Sequence, residues 1–162
     1  MSSIATDFAD VTLLLGPLYH LIGDDEKLKA LNEAKRVTKS GGVIFVAYLM
    51  NEYSILSYCF DEERIEGLLA QGAVDKDFHV RVQEGELYDY VRLEDINRLN
   101  EKAGLERVTI FSPEGAADYM RTRINHMSDA TFARFIEYQK CVSERQELIG
   151  AGSHVVDVVR CS

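Results

Sequence analysis

"DVTLLLGPLYHLIGDDEKLKALNEAKRVTKSGGVIFVAYLM", residues 10–50, decides the fold. Residues 10–15, "DVTLLL", form a short, mostly apolar run stopped by Gly16-Pro17. Such a run suits a strand covered on both faces, as in parallel sheets. The next segment carries helix signals from end to end. Asp24 or Asp25 is placed to cap it, acids fill its first turn and bases its last, and Gly41-Gly42 stands where it should stop. Leu28, Leu31, Ala34 and Val37 recur on one helical face. "VIFVAYLM" (residues 43–50) is a second continuous apolar run. Strand, helix, strand with two apolar strands is a βαβ unit, whose crossover is expected to be right-handed.

Downstream, residues 51–72 read as helical, with Ile55, Leu56, Tyr58, Cys59 and Phe60 ahead of the acidic residues 61–63 and a second apolar face at Ile65, Leu68 and Leu69. Residues 75–86 are polar and without period apart from "FHVRV", which predicts a loop or a loose strand. "RLEDINRLNEKAGLE" predicts a helix with Leu93, Ile96, Leu99 and Ala103 inward and Gly104 as its stop. "LERVTIF" follows as a strand. Residues 114–123 read as helical, and Ser128 caps a long helix with a stripe of Phe132, Phe135, Ile136, Gln139, Val142 and Leu148. "SHVVDVVRC" closes the chain as a strand. The order β-α-β, helical stretch, α-β-αα-β is α/β, and the length of 162 residues fits a single domain, 1–162.

Composition narrows the function classes. Hydrophobic residues make up 46%, which is enough for a packed core. The net charge of −9, with no cluster of Lys and Arg, disfavours nucleic-acid binding. Cys59, Cys141 and Cys161 are widely spaced and odd in number, so reduced thiols and a cytoplasmic location are expected rather than a disulfide framework. No run approaches the length of a membrane span, so no membrane partner is expected. His20, His79, His126 and His154 lack metal-ligand spacing, and no metal site is expected. The chain also contains no GxGxxG. Its one doubled glycine, Gly41-Gly42, follows a helix, the wrong side for cradling an anion.

Four stretches, taken together, resemble class I S-adenosylmethionine-dependent methyltransferases of the small bacterial type. "DFADVTLLLGPLYHLI" is similar to the family's fourth strand and the loop after it. "KLKALNEAKRVTKSGGVIFVAYL" is similar to the helix and fifth strand, with Thr38 and Ser40 where leucine and proline are usual. "RLEDINRLNEKAGLERVTIF" resembles the next helix and sixth strand, and "SERQELIGAGSHVVDVVR" the closing helix end and seventh strand. Family sheets run 3-2-1-4-5-7-6. The resemblance therefore implies a partial Rossmann-like sheet of strands equivalent to 4, 5, 7 and 6, with helices on its faces and a helical lid insertion at residues 51–91. It also implies that the glycine-rich turn holding the methionine moiety, and the acidic residue holding the ribose, are missing here.

Ligands of open α/β sheets bind beyond the carboxyl ends of the strands. Residues 16–23 occupy such an end. By periodicity alone they form a tight turn with Leu18, Leu21 and Ile22 in the core; the resemblance adds that this loop borders cofactor and methyl acceptor. On that reading Leu15, Gly16 and Leu18 contact S-adenosylmethionine, and Tyr19 and His20 orient the acceptor or take its proton. Tyr48 and residues 51–53 end the second strand, where core or lid packing competes with acceptor contact. His154 is placed to cap the last strand. The implied reaction is methyl transfer to a small-molecule or unidentified acceptor. The isolated chain is expected to bind the cofactor weakly or not at all. The alternative is a non-catalytic module that self-associates: without a neighbour the first strand exposes an apolar edge, which predicts a homodimer.

Overall fold

The computed structural model describes residues 4–82 and 85–161. The chain divides into two compact units, residues 1–49, 82–110 and 156–162 in the first and residues 50–81 and 111–155 in the second.

The first unit carries most of a five-stranded sheet. Its strands are β1 (Ala9–Leu14), β2 (Thr38–Met50), β3 (Tyr90–Val91), β4 (Leu105–Phe111) and β5 (His154–Cys161), ordered β1-β2-β5-β4 with the short β3 pairing β2. The last strand of the chain thus lies between the second and the fourth. β1 and β2 run parallel, with Val11 opposite Val43 and Leu13 opposite Phe45. The expected βαβ unit is present, its helix α1 spanning Asp24–Val37.

Three local expectations are corrected. Asp24 and Asp25 do not cap α1. Gly23 does, at φ 81°, and its N–H donates to the Asp89 carboxylate at 3.0 Å. Gly41-Gly42 does not stop α1 either, because the chain turns extended already at Thr38, whose hydroxyl donates to the Ala34 carbonyl at 2.7 Å and accepts from Thr12 at 2.6 Å. The glycines instead form a bulge in β2. Between the pairs Ala9–Thr38 and Val11–Val43, β1 advances two residues and β2 five. Gly41 sits at φ 76°, and a Cβ on Gly42 would lie 2.8 Å from Thr38 and 2.9 Å from the Asp10 carbonyl. Finally, β1 is not covered on both faces. Val11, Leu13 and Leu15 are 52%, 65% and 50% exposed, and among the described residues β1 has a strand neighbour on one side only.

α1 buries Lys27, Leu31, Ala34 and Val37, so Lys27 takes the inward place expected of Leu28. α4 (Leu93–Ala103) buries Ile96, Leu99 and Ala103 as its periodicity predicts, and Gly104 ends it in the left-handed conformation at φ 62°. Lys35 of α1 donates to the Ala103 and Gly104 carbonyls, each at 3.0 Å, satisfying the end of α4. At the sheet's centre Asp157 of β5 is fully buried. Arg107 grips both its oxygens, at 2.7 and 2.9 Å, and Asn100 donates to it at 2.7 Å.

The second unit is mostly helical. α2 (Asn51–Ser54) continues through a π-helical turn at Ile55–Phe60 and is followed by α3 (Ile65–Gln71). Ile55, Cys59 and Val74 form one small apolar cluster in it, flanked by Ile65, Leu68, Leu69 and Val80. Residues 75–86 are largely irregular over their described part, with one bridge between Val74 and Val80; Gln83 and Glu84 lie outside the described residues. The helix expected over 114–123 shrinks to a 3-10 turn at Asp118–Met120 and α5 (Arg121–Ile124), because Gly115 takes the left-handed conformation at φ 54°. The long helix after Ser128 splits into α6 (Asp129–Val142) and α7 (Gln146–Ile149). Ser128 does cap α6, accepting from the Thr131 N–H. Of the expected stripe only Gln139 is buried, while Phe132, Ile136 and Leu148 are exposed.

Candidate functional site

The loop leaving β1 is held by a segment 66 residues away in sequence. Pro17–His20 form a single 3-10 turn. Proline sets its first φ and lacks an N–H at a position where none is needed. Residues 87–89 then fasten the loop at several points. The Asp89 N–H donates to the Tyr19 carbonyl at 2.8 Å, and the Asp89 carboxylate takes the Gly23 N–H and the Lys27 ammonium. Lys27 is almost completely buried and also donates to the Leu21 carbonyl at 2.7 Å. A buried ammonium costs several kcal/mol unless paired, so the Lys27–Asp89 contact makes loop and segment one structure.

This fixes the side chains singled out from the sequence. His20 Nδ1 lies 2.9 Å from the Leu87 carbonyl, which can only accept, so Nδ1 carries the proton. In the neutral ring that leaves Nε2 as the acceptor. Tyr19, His20 and Tyr88 pack as a triplet, with ring centroids 4.8 Å apart for Tyr19–His20, 5.3 Å for His20–Tyr88 and 6.2 Å for Tyr19–Tyr88. His20 is exposed and Tyr19 half-buried. Gly16 is half-buried and Leu15 half-exposed at the end of β1. Leu18 is the fully buried residue of the turn. Tyr19 and His20 therefore share one loop with Leu15 and Gly16, and Leu18 is that loop's buried residue.

The other candidates belong to the packing of their own units. Tyr48 is buried in the sheet, where burial, and then the nearby Asp157 carboxylate, push its hydroxyl far above the ordinary tyrosine range. Asn51 is buried too, donating to the Phe78 carbonyl at 2.9 Å and accepting from the Val80 N–H at 2.8 Å. His154 opens β5 with its N–H on Glu114 at 2.9 Å and its Nδ1 on the same carboxylate. The buried Ser153 hydroxyl lies against Glu114 and, at 2.6 Å, Asp118. Tyr119 packs edge-on against Tyr53 at 5.4 Å and is pushed up to about 12 by burial and then by Tyr53.

Residues 87–89 and Lys27 were not singled out from the sequence. Asp89 has no local signal, since its partners are distant in sequence. Lys27 has one: it stands four residues before Leu31 on the inward face of α1, and a lysine there demands a buried acceptor.

No protein-family model matches the chain. No curated protein matches it either. Among solved structures it is similar to a SAM-dependent methyltransferase of Thermotoga maritima, described as a possible histamine N-methyltransferase, at 15% identity and TM-score 0.54, covering 100% of this chain and 60% of that one. It is similar to a SAM-dependent methyltransferase of Methanosarcina mazei at 9% identity and TM-score 0.54, covering 99% and 62%. A third, from Archaeoglobus fulgidus, gives 12% identity and TM-score 0.51, covering 98% and 62%. At these identities the likeness is one of fold. The chain spans about 60% of the length of these structures.

Proposed function

We propose that the chain is the C-terminal portion of an S-adenosylmethionine-dependent methyltransferase, with β1, β2, β5 and β4 equivalent to the family's strands 4, 5, 7 and 6. The observation that carries this reading is the spatial order β1-β2-β5-β4, in which the last strand inserts beside the second, joined to fold similarity along the whole chain. The helices of residues 51–91 then correspond to the lid.

When bound, S-adenosylmethionine supplies an electrophilic methyl group. The described residues do not by themselves fit that group. Leu15 and Gly16 offer one wall, Leu18 supports it, and the open edge of β1 stands where a second wall would rise. In a complete enzyme the task left to this chain is positioning and proton handling. His20, its Nδ1 proton held by Leu87, presents Nε2 as the acceptor for a proton leaving the substrate, and Tyr19 orients that substrate. Calorimetric titration with S-adenosylmethionine and with its demethylated product tests this. Undetectable or millimolar binding supports the incomplete site; micromolar binding overturns it. An in-frame strand ending in a glycine-rich turn, encoded upstream of Met1, would supply the second wall.

The exposed Val11, Leu13 and Leu15 favour a second reading, a homodimer joined through β1. A dimer in sedimentation at tens of micromolar that Leu13→Lys dissociates supports it, and a monomer at that concentration excludes it.

A further inference from the structure

We propose that a pocket in the second unit, bounded by α6, residues 112–119 and residues 148–152, binds a neutral aromatic molecule bearing one N–H or O–H donor. The proposal stands independently of the methyltransferase reading, since it uses none of the residues of the β1 loop.

The frame of the pocket is set by one buried serine. The Ser112 hydroxyl accepts from the Gly115 N–H at 3.1 Å and donates to the His154 carbonyl at 3.0 Å. The Ser112 N–H donates to the Ser143 carbonyl at 2.9 Å, and its own carbonyl accepts from Gln139 Nε2 at 3.1 Å. Tyr119 closes a side by donating to the Ala151 carbonyl at 2.8 Å. Two glycines permit the close approach. A Cβ on Gly115 would fall 2.5 Å from the Gln139 amide, and one on Gly152 would collide with the Ser112 hydroxyl. The walls are therefore main chain pinned by hydrogen bonds, a frame that costs little to hold open for a ligand.

The space inside is about 110 Å³. Cavities of this order accept a single small aromatic molecule. Tyr119, Tyr138, Val142, Leu148 and Ala151 line it, with no Asp, Glu, Lys or Arg among the lining residues. A charged ligand would lose its hydration there without compensation, which selects a neutral one. The tyrosines add edge and face contacts for an aromatic ring. The polar point is Gln139, more than nine-tenths buried, whose amide nitrogen is committed to the Ser112 carbonyl at 3.1 Å and whose amide oxygen can only accept. An acceptor in an apolar wall calls for a donor on the ligand.

Indole is the probe, because the chain contains no tryptophan and indole fluorescence is read directly. Titration at constant indole is expected to give a saturable blue shift of its emission. N-methylindole, which lacks the donor, is expected to bind about tenfold more weakly, the worth of one hydrogen bond. Gln139→Met is expected to erase that difference, and Ala151→Leu, which fills the pocket, to abolish binding. Ala116→Leu, on another wall, replaces the filling variant if Ala151→Leu fails to fold by circular dichroism. The proposal is overturned by any of three results: no saturable shift up to the solubility of indole, equal binding of the two indoles by the native chain, or unchanged affinity in a folded filling variant.

Discussion

β1 and β2 lie side by side in parallel, and their sequences look alike, yet their surroundings are opposite. "VTLLL" leaves Val11, Leu13 and Leu15 half or more exposed, whereas in "VIFVAYLM" Ile44, Val46, Ala47, Tyr48 and Met50 are buried. β2 has β1 and β5 as neighbours and β3 besides; among the described residues β1 has β2 alone. An apolar run therefore records the environment a strand is suited to, and β1, apolar yet exposed, is suited to a cover that the described residues do not supply.

The largest effect expected from this contrast lies on the covered side. Asp157 of β5, next to β2, is wholly buried and depends on Arg107. Arg107→Ala leaves that carboxylate without its ion pair, and a loss of about 3–5 kcal/mol is expected in urea unfolding. A loss under about 1 kcal/mol would show that water reaches Asp157 and that the covered side is less closed than β1 makes it look.

The direct comparison is a matched pair of truncations. Ile44→Ala should cost about 2–5 kcal/mol, because the apolar contact and the space left behind both count against folding. Leu13→Ala, on the neighbouring strand, should cost less than about 1 kcal/mol in the monomer. Equal losses would mean that β1 is covered in solution, and their concentration dependence would identify a second copy as the cover.

This contrast also marks how far the sequence could be read. The βαβ unit, the helix ended by Gly104 and the strands Leu105–Phe111 and His154–Cys161 follow from periodicity and stop signals, because each depends on its own neighbours. The exposure of β1 was legible only through the resemblance, since composition cannot report what lies beside a strand. The bulge at Gly41-Gly42 was misread because a doubled glycine ends a helix as readily as it kinks a strand. In the β1 loop, Tyr19 and His20 stood out by type. Their fixation by residues 87–89 was hidden, since its contacts, the lysine–aspartate pair among them, close across more than 60 residues.

That pair gives an intermediate effect. Asp89→Asn keeps the shape but removes the charge facing Lys27 and weakens the tie to Gly23. A loss of roughly 1–3 kcal/mol is expected, together with faster amide hydrogen exchange at Asp89, whose N–H is held by Tyr19, and at Gly23. Unchanged exchange would show that the loop is held by the 3-10 turn alone, and the open side of β1 would then extend no further than the strand.

The smallest effect is expected where β5, covered along its middle, begins at the surface. Burial pushes the Glu114 carboxyl up, but hydrogen bonds from His154 and Ser153 outweigh it and leave the group below its ordinary value of 4.5. The bond to Glu114 holds His154 above its ordinary 6.5. A depressed carboxyl contributes stability that is present above its unfolded value and lost as pH falls through the folded one. A raised histidine contributes below its unfolded value and loses that contribution as pH rises through the folded one. Both contributions are complete only between 4.5 and 6.5. The thermal midpoint should therefore carry a shallow maximum in that interval which Glu114→Gln flattens. His154 is partly exposed, so solvent screening keeps the effect to about 1 kcal/mol or less. If the native chain and Glu114→Gln instead trace parallel profiles, the pair is not formed in solution, and the first turn of β5 is as open as the edge of β1.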